Sequence, residues 1–514
     1  MAGPSLGTPS PETGPAIVAV TSQSSSDAAE AAVVETFGYK QEFARVVGGF
    51  ASFALSFSNA SVTTGTFLAI AGIFAIAGGA GVWVFLVNAV LMLFVGLVYA
   101  TLSARIPLAG LEYQWGTRLT NAWVGSLLGW LAFGVVTVST VAVDYVLAAT
   151  VLPALFAYES SSALTVIVTA IVLVLQAALL ALSTRLTTAL NSWVVVSEVV
   201  LVVGLVVLLV VVGAIRGMWV PHNLVSEGAA AGPSYFSLGG LSTVGAFWLL
   251  ISISFFSISD GFQGCANVAE ETKDAQRVVP RAMMQTLIYT AGIQMLLMIA
   301  LILVSHNTVA LSTSPTAMAD IVTAVLGVVV TKLFLVVAVF NVFACGLVVF
   351  LQMTRYTWAM ARDNRFPAAR YFRDVHPRFD TPLRVTLLCF VLLIVVLLFF
   401  GFNGSAFNNL IAAGGLCAIV VYLFVMVIYA FAGRRIPLPA GRFGLGRWEW
   451  PVVTIAILWL LFALAIFRAG FTSAWEYFGG MVVLGIVYVV YAVGIRKSSA
   501  EPGVVEAVSP TASR

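Results

Sequence analysis

The chain has 514 residues, of which 61% are hydrophobic and 9% are charged, and its mean hydropathy is +1.03. These values exclude a soluble globular protein, because so much apolar surface must be placed in lipid. The formal net charge of +3 is too small to indicate a nucleic-acid partner.

Both ends of the chain have the composition of disordered tails. Residues 1–42 are rich in Ser, Pro, Ala and Gly, and residues 498–514 have the same character. The apolar patch AIVAV near the start is too short for a secretory signal, and no basic residue precedes it. We therefore predict two cytoplasmic tails that flank a transmembrane domain over residues 43–497.

Between the tails, twelve apolar stretches are long enough to cross a hydrocarbon core of roughly 30 Å as helices. Their predicted limits are 46–77, 82–104, 122–152, 163–182, 189–213, 241–269, 283–305, 328–354, 383–401, 406–432, 451–469 and 474–495. With the amino terminus in the cytoplasm, all but three of the 25 Lys and Arg residues fall on the cytoplasmic side. This asymmetry follows the positive-inside rule. The sequence therefore predicts an all-α, multi-pass integral membrane protein with both termini in the cytoplasm.

Metal, redox and hydrolytic chemistry find no support in the sequence. The four cysteines are scattered without CxxC spacing, and the three histidines lack the paired spacings of a zinc site. HExxH is absent, the one GxSxG match, GPSLG at residues 3–7, lies in the predicted disordered tail, and no GxxxxGK[ST] loop indicates direct use of ATP. We therefore predict no enzyme activity, no metal and no cofactor. The composition gives no basis for assigning an oligomeric state.

Two of the apolar stretches are interrupted by polar residues and glycine. The sixth contains the run SDGFQG at residues 259–264, and the first is interrupted between Ser56 and Gly65 before it resumes at Phe67. Unsatisfied backbone groups in hydrocarbon cost several kcal/mol each, so such breaks persist where they line a protected, wetted cavity. The alternative is a glycine kink that serves helix packing. A pair of broken helices in the two halves of a chain is typical of inverted-repeat transporters, whose binding site lies at the breaks.

Three segments resemble the amino acid–polyamine–organocation superfamily of permeases. They are SARIPLAGLEYQWGTRL at 103–119, GFQGCANVAEETKDAQRVVPRAM at 261–283 and RYTWAMARDNRFP at 355–367. The most similar branch is that of the amino acid/choline transporters, which includes 4-aminobutyrate and choline permeases. The sequence departs from this pattern at one place. Where the family often has an acidic residue after the Gly-aromatic pair, this chain has Gln263, and its acidic residue is Asp260, one position before the glycine.

This resemblance implies a leucine-transporter-type fold of twelve transmembrane helices. Residues 46–213 and 241–432 would form two inverted repeats of five helices, with helices 1 and 6 broken. Residues 451–495 would add helices 11 and 12 at the periphery.

The substrate site is predicted at the two breaks. At the first, the amides of Thr63, Thr64 and Gly65 at a positive helix end suit a substrate carboxylate. At the second, carbonyl groups near Ser257 and Ser259 suit an ammonium group. The other members of the predicted site are Ser58, Asn59, Ser61, Asp260, Gly261, Phe262 and Gln263. Phe262 is the aromatic face offered to a cation, and the alternative for the Ser and Thr residues is interhelical packing.

Carboxylates within membrane spans usually have a function. Asp144, Glu198 and Asp260 lie inside predicted spans, and Glu476 lies near the outer interface. We predict coupling to a proton, with Glu198 as the first carrier and Asp260 as the second, because Glu198 lies on a helix expected near the inner half of helix 1. Sodium-driven members of the fold use hydroxyl ligands on helix 8, and residues 333–353 contain no Ser or Thr. The alternative is that Glu198 is a neutral packing residue.

Four charged residues are predicted to form an inner gate. Glu270 and Glu271 end the sixth span on the cytoplasmic side, and Arg355 and Arg362 end the eighth span on the same side. The alternative is a solvated interface in which these residues have no specific partner.

Together these features predict a secondary active transporter of a small amino acid or amine, with a proton as the coupling ion. Its surroundings would be the lipid bilayer of the plasma membrane. An exchanger and a sensor that binds without transport are the alternatives. A channel is disfavoured, because two localised breaks do not make a continuous polar pore.

Overall fold

The structure is a computed structural model, and it describes residues 32–182, 184–238, 244–258, 260–376, 381–470 and 472–495. Within these ranges the chain forms helices joined by turns and loops, as the composition predicts. Eleven of the helices in the described residues are long and apolar enough to cross a membrane.

The helices are numbered in chain order. Their bounds are α1 Gly49–Ala60, α2 Val62–Ala77, α3 Val82–Arg105, α4 Leu111–Leu119, α5 Ala122–Val146, α6 Ser162–Leu182, α7 Thr184–Ile215, α8 Ile251–Ile258, α9 Ala275–Leu303, α10 Ala317–Leu326, α11 Val328–Arg362, α12 Leu383–Phe400, α13 Gly404–Ala432, α14 Glu449–Gly470 and α15 Thr472–Val489. α5 continues through a π-helical turn at Leu147–Val151 into the short helix Leu152–Phe156.

Polar residues mark where several helices begin. The Asn121 side chain accepts a hydrogen bond from the Val124 amide at 3.0 Å and caps α5. Asn403 caps α13 in the same way, through the Ala406 amide at 3.1 Å. Because the first amides of a helix have no partner within it, these caps set the point at which the apolar run becomes helical.

The outer side chains of the bundle are apolar. Phe431, Phe399 and Trp193 are 84%, 78% and 77% exposed. Burying such rings would normally be favourable, so their exposure is expected only where lipid surrounds the helices. Inside the bundle, α9 packs along α3 and α1, and α11 packs along α5 and α7.

The sixth predicted span, 241–269, is divided into short pieces. Its described residues form the turn of helix Ala246–Leu249, then α8, and finally a 3₁₀ helix at Gly264–Glu271. None of these pieces is long enough to cross a membrane alone. This is why the described residues give eleven long helices and not the predicted twelve. Between α8 and the 3₁₀ helix, Gly261 has a φ of +89°, a conformation that favours glycine.

Helical structure continues beyond the predicted limits at one end of the bundle. α4 lies within segment 103–119, which was predicted as a loop, and α9 begins at Ala275 rather than at 283. α11 runs to Arg362 rather than to 354. Hydropathy detects only the part of a helix that lies in hydrocarbon, whereas these extensions carry charged residues such as Arg277, Arg355 and Arg362. We call this end of the bundle, where α1 begins and α11 ends, the basic face.

Part of the predicted tail 1–42 is packed against the basic face. Val34 and Phe37 are buried, at 1% and 7% exposure, and the Tyr39 hydroxyl donates a hydrogen bond to Asp363 at 2.7 Å. The folded domain therefore includes residues 32–42. Residues 1–31 and 498–514 lie outside the described residues.

Candidate functional site

A cavity of about 320 Å³ lies where the two helix breaks meet. Its wall is mostly apolar, and Asp260 is the only charged side chain among the described residues that line it. The polar residues and glycines of its lining are Asn59, Thr64, Gly65, Ser139, Ser252, Asp260, Gly261, Gln263, Gln352 and Asn408.

The cavity brings together half of the predicted substrate site. The predicted residues in its lining are Asn59, Thr64, Gly65, Asp260, Gly261 and Gln263. Those that lie behind the lining are Ser58, Ser61, Thr63, Ser257 and Phe262. Ser259 lies outside the described residues.

The first break is confined to Ser61. This residue has φ 27° and ψ 103°, and α2 begins directly after it rather than near Gly65 as predicted. The Ser61 hydroxyl accepts a hydrogen bond from the Thr64 amide at 3.2 Å, and the Ser61 carbonyl accepts one from the Gly65 amide at 2.9 Å. The Thr63 amide donates to Glu198 at 2.9 Å. The three amides expected to face a substrate carboxylate are therefore already bonded within the protein.

Glu198 reaches this break from α7. Its side chain is 1% exposed, and its Oε1 also accepts a hydrogen bond from the Ser61 hydroxyl at 3.2 Å. Glu198 therefore contacts helix 1 at its break. Its Oε2 has no hydrogen-bond partner among the described residues. The carboxylate occupies the positive end of α2, where a negative charge is most favourable.

α11 contacts the same break through an amide and a thiol. The Asn341 side chain donates to the Thr63 hydroxyl at 3.4 Å, and the Cys345 thiol donates to the Asn59 carbonyl at 3.4 Å. A thiol is a poor ligand for a hard cation, which prefers oxygen. At the first break, α11 therefore contributes an amide and a thiol rather than the hydroxyl groups that a sodium ion would use.

The second break places Asp260 at the cavity. Its Oδ1 accepts hydrogen bonds from the Tyr422 hydroxyl at 2.7 Å and from the Gln263 side chain at 3.4 Å. The neighbouring Gly261 carbonyl accepts one from the Asn59 side chain at 2.7 Å. This last bond joins the two breaks directly, so the position of Asp260 depends on the position of α1.

The aromatic rings at the cavity are those of Phe256 and Phe467 rather than that of Phe262. Phe262 is fully buried, with its ring 5.6 Å from that of Tyr99 and 6.0 Å from that of Tyr422. Phe256 lies in the cavity lining. Phe256 lies in α8 and Phe262 lies in the turn after it, and sequence alone does not show which ring the break turns toward the cavity.

Sequence reasoning missed Ser139, Ser252, Gln352 and Asn408 of the lining, and Tyr422 beside it. Gln352 on α11 lines the cavity, and its Nε2 has no hydrogen-bond partner among the described residues. Tyr422 on α13 holds Asp260. An amide in the long apolar run of the eighth span, which also contains Asn341, was the signal for Gln352, whereas a tyrosine within a span is too common to indicate a site.

The four residues predicted as an inner gate form two buried ion pairs. Arg362 donates two hydrogen bonds to the Glu270 carboxylate, at 2.8 and 3.1 Å. Arg355 bonds to Glu271 at 2.8 Å. All four side chains are buried or nearly so, with exposures between 0% and 7%. This geometry differs from the solvated interface that was the alternative.

The segment before α1 covers these ion pairs. The Tyr39 ring lies 3.7 Å from the Arg362 guanidinium, and the Phe43 ring lies 4.8 Å from that of Arg355. Burial, with a further contribution from Asp363, raises the pKa of Tyr39, so its hydroxyl stays a donor to that carboxylate. Opening the basic face would require this segment and both ion pairs to separate.

We expect Arg362→Met to destabilise the protein by about 3 kcal/mol, because it leaves the Glu270 carboxylate buried without its partner. The double variant Glu270→Gln/Arg362→Met should recover at least half of that loss, since it removes both charges. Denaturant unfolding in detergent measures both values. Arg370→Met, at an exposed position of the same face, is the matched control, and a loss no larger than the control's would contradict the assignment.

Comparisons with known proteins agree with this geometry. A family model described as amino acid permease matches residues 47–491. The low-affinity putrescine importer PlaP of Escherichia coli is 26% identical over 303 residues, which cover 57% of this chain and 61% of that protein. The choline transporter of Saccharomyces cerevisiae is 25% identical over 207 residues, or 40% of this chain and 36% of that protein.

A further relative, from Schizosaccharomyces pombe, is named as an uncharacterized amino-acid permease. It is 24% identical over 449 residues, which cover 83% of this chain and 78% of that protein. The match to the putrescine importer spans less than two thirds of that protein's own length.

Proposed function

The chain belongs to the amino acid permease family, and from this we propose that it is a secondary active transporter of a small organic cation. The match over residues 47–491 confirms the resemblance to the amino acid–polyamine–organocation superfamily. The family and the named relatives are permeases and transporters rather than enzymes, and the chain is a multi-pass membrane protein. The observation that carries the proposal is the cavity between two helix breaks, with Asp260 in its wall.

The charge of the cavity favours an amine without a carboxylate over an amino acid. Asp260 is the only charged side chain among the described lining residues, and it offers a counter-charge to an ammonium group. The amides of Thr63, Thr64 and Gly65, which would bind a substrate carboxylate, are occupied within the protein. A carboxylate would therefore lose its hydration without gaining equivalent partners. The names of two relatives, a putrescine importer and a choline transporter, agree with a cationic substrate.

The lining suggests how such a cation is held. Asp260 accepts the ammonium hydrogens, and the Gln263 Oε1, which has no partner among the described residues, is a second acceptor. The Phe256 ring offers a further face for the positive charge. The apolar wall, to which Val135 and Val349 contribute, contacts the carbon chain. Asn59 and Gly261 contribute through the hydrogen bond between them, which holds the two breaks in alignment.

We propose that a proton drives transport and binds to Glu198. In the ionised form, Glu198 accepts hydrogen bonds from Thr63 and Ser61 and ties α7 to the first break. A proton on Oε2, the oxygen without a partner among the described residues, removes the charge that favours this position. Protonation therefore weakens the link between α7 and α2, and this couples proton binding to rearrangement of the break. Asp260 remains the second candidate.

The orientation and the repeats are part of the same proposal. We place the basic face in the cytoplasm of a cell whose plasma membrane holds the protein, with both termini on that side, because the positive-inside rule favours it. Glu270 with Arg362 and Glu271 with Arg355 would then form the inner gate. The two breaks support residues 46–213 and 241–432 as inverted repeats of the leucine-transporter type.

Reconstitution into proteoliposomes tests this function. Purified protein should take up labelled 1,4-diaminobutane, and unlabelled butylamine should compete about tenfold better than 4-aminobutyrate, since one added carboxylate distinguishes the two ligands. Preloading with unlabelled diamine should accelerate entry of the label. Uptake that requires preloading would indicate an exchanger. Binding without any trans-stimulation would indicate a sensor and would contradict the transporter.

A further inference from the structure

A second buried carboxylate lies outside the cavity, at the contact of α5, α6 and α11. Asp144 on α5 and Gln176 on α6 are both 0% exposed. The Gln176 Nε2 donates to Asp144 Oδ1 at 2.8 Å and to the Phe343 carbonyl of α11 at 3.1 Å. The pair therefore joins three helices at one point.

The amide of Gln176 has a defined orientation. Asp144 Oδ1 and the Phe343 carbonyl oxygen are both acceptors, so the nitrogen of the amide must face them. The remaining oxygen, Gln176 Oε1, has no hydrogen-bond partner among the described residues, and neither has Asp144 Oδ2. Two buried acceptors without donors are costly, and together they indicate a missing hydrogen or cation.

The close approach depends on Gly346 of α11. A Cβ atom at this position would lie 2.2 Å from Asp144 Oδ1 and 2.6 Å from Gln176 Nε2. The carboxyl group therefore rests against the backbone of α11 next to Cys345, whose thiol contacts the first break. A change in the charge of Asp144 acts on the same helix that contacts the substrate cavity.

We propose that Asp144 and Gln176 form a proton-binding site, separate from Glu198 and Asp260. A proton from water binds Asp144 Oδ2 and gives a neutral carboxyl group. The new O–H of Asp144 then donates to Gln176 Oε1, which otherwise has no partner among the described residues, while the nitrogen of the same amide donates to Oδ1. An acid and a primary amide joined in this way satisfy each other's donors and acceptors, which an ionised Asp144 cannot do in a buried position.

Few other titratable groups surround Asp144. α6 contains no charged or titratable residue, and the titratable group of α11 nearest to Gly346 is the Cys345 thiol. On α5 itself, the Tyr145 ring packs against Phe407 of α13. The Tyr422 hydroxyl of α13 bonds to Asp260 instead. None of these described neighbours is a cation that could hold Asp144 ionised, so a proton is the simplest occupant.

The test is the thermal stability of the purified full-length protein between pH 5 and 9, which needs no transport substrate and is independent of the proposed function. The wild-type melting temperature should fall by about 2 °C per pH unit up to the pH at which Asp144 ionises in the folded protein, because below that pH only the unfolded chain releases this proton. Asp144→Asn mimics the protonated acid and should remove that part of the decline. Gln176→Leu removes both the N–H donor to Oδ1 and the acceptor of the carboxyl O–H, so the decline should end at a different pH from that of the wild type. Asp320→Asn, at an exposed position, is the matched control.

Three outcomes would overturn the proposal. The first is an Asp144→Asn protein whose curve follows that of the wild type. The second is a Gln176→Leu protein whose decline ends at the wild-type pH, and this variant decides the question if Asp144→Asn does not fold. The third is a stabilisation by sodium over potassium that is present in the wild type and absent in Asp144→Asn, which would replace the proton by a metal cation.

Discussion

Replacement of Gly261 by leucine is expected to reduce transport roughly 100-fold or more, because a displacement of about 1 Å at a binding site has effects of this size. Gly261 has a φ of +89°, and a Cβ atom there would lie 2.8 Å from the Ala60 amide nitrogen and 2.9 Å from the Asn59 Nδ2. The side chain would strain the backbone and separate the two breaks. It would also disturb the bond from Asn59 to the Gly261 carbonyl.

The measurement is initial uptake of labelled 1,4-diaminobutane into proteoliposomes, normalised to the amount of folded protein. Gly292→Leu is the matched control, because Gly292 lies on the outer face of α9 with no atom within 4 Å of a built Cβ. The control should transport normally. Normal uptake by a folded Gly261→Leu protein would show that the second break is not part of the binding site.

Glu198→Gln is expected to abolish accumulation against a gradient while exchange of internal and external substrate persists. Glutamine keeps an oxygen that accepts the Thr63 amide hydrogen, so the first break retains its shape. It cannot bind and release a proton, however, so an imposed pH gradient no longer drives uptake. Concentrative uptake should fall at least about tenfold, as expected when a group essential for proton transfer is lost.

Uptake is measured under an imposed pH gradient with and without sodium. Glu476→Gln, which removes an exposed carboxylate near the start of α15, is the control and should accumulate substrate normally. Dependence of wild-type uptake on sodium would contradict proton coupling. A Glu198→Gln protein that still concentrates substrate with the pH gradient would transfer the role to Asp260 or to another group.

The positions of the two breaks could be predicted from sequence because lipid permits few exceptions. A run such as SDGFQG at 259–264 cannot continue a helix through hydrocarbon without exposing polar groups, so it must face a cavity or other protein. The same reasoning predicted Asp260 at the second break, and the structure places its side chain in the wall of the cavity. These predictions depend on local sequence and the properties of the bilayer alone.

The features that could not be predicted depend on contacts between distant segments. The Thr63 amide bonds to Glu198, which lies 135 positions later, and no local pattern shows that this carboxylate occupies the helix end expected to bind substrate. Tyr39 lies in a segment with the composition of a tail, yet it stacks on Arg362. In both cases the partner comes from another helix, and only the packed bundle determines which residues meet.

The central claim is that the cavity binds a small organic cation through the charge of Asp260. The most direct test is equilibrium binding of labelled 1,4-diaminobutane to the purified wild-type protein and to Asp260→Asn, which keeps the size and one oxygen acceptor of the side chain. Loss of a charge-assisted hydrogen bond predicts roughly 30-fold weaker binding by the variant. Equal affinity of the two proteins for the diamine would contradict the account.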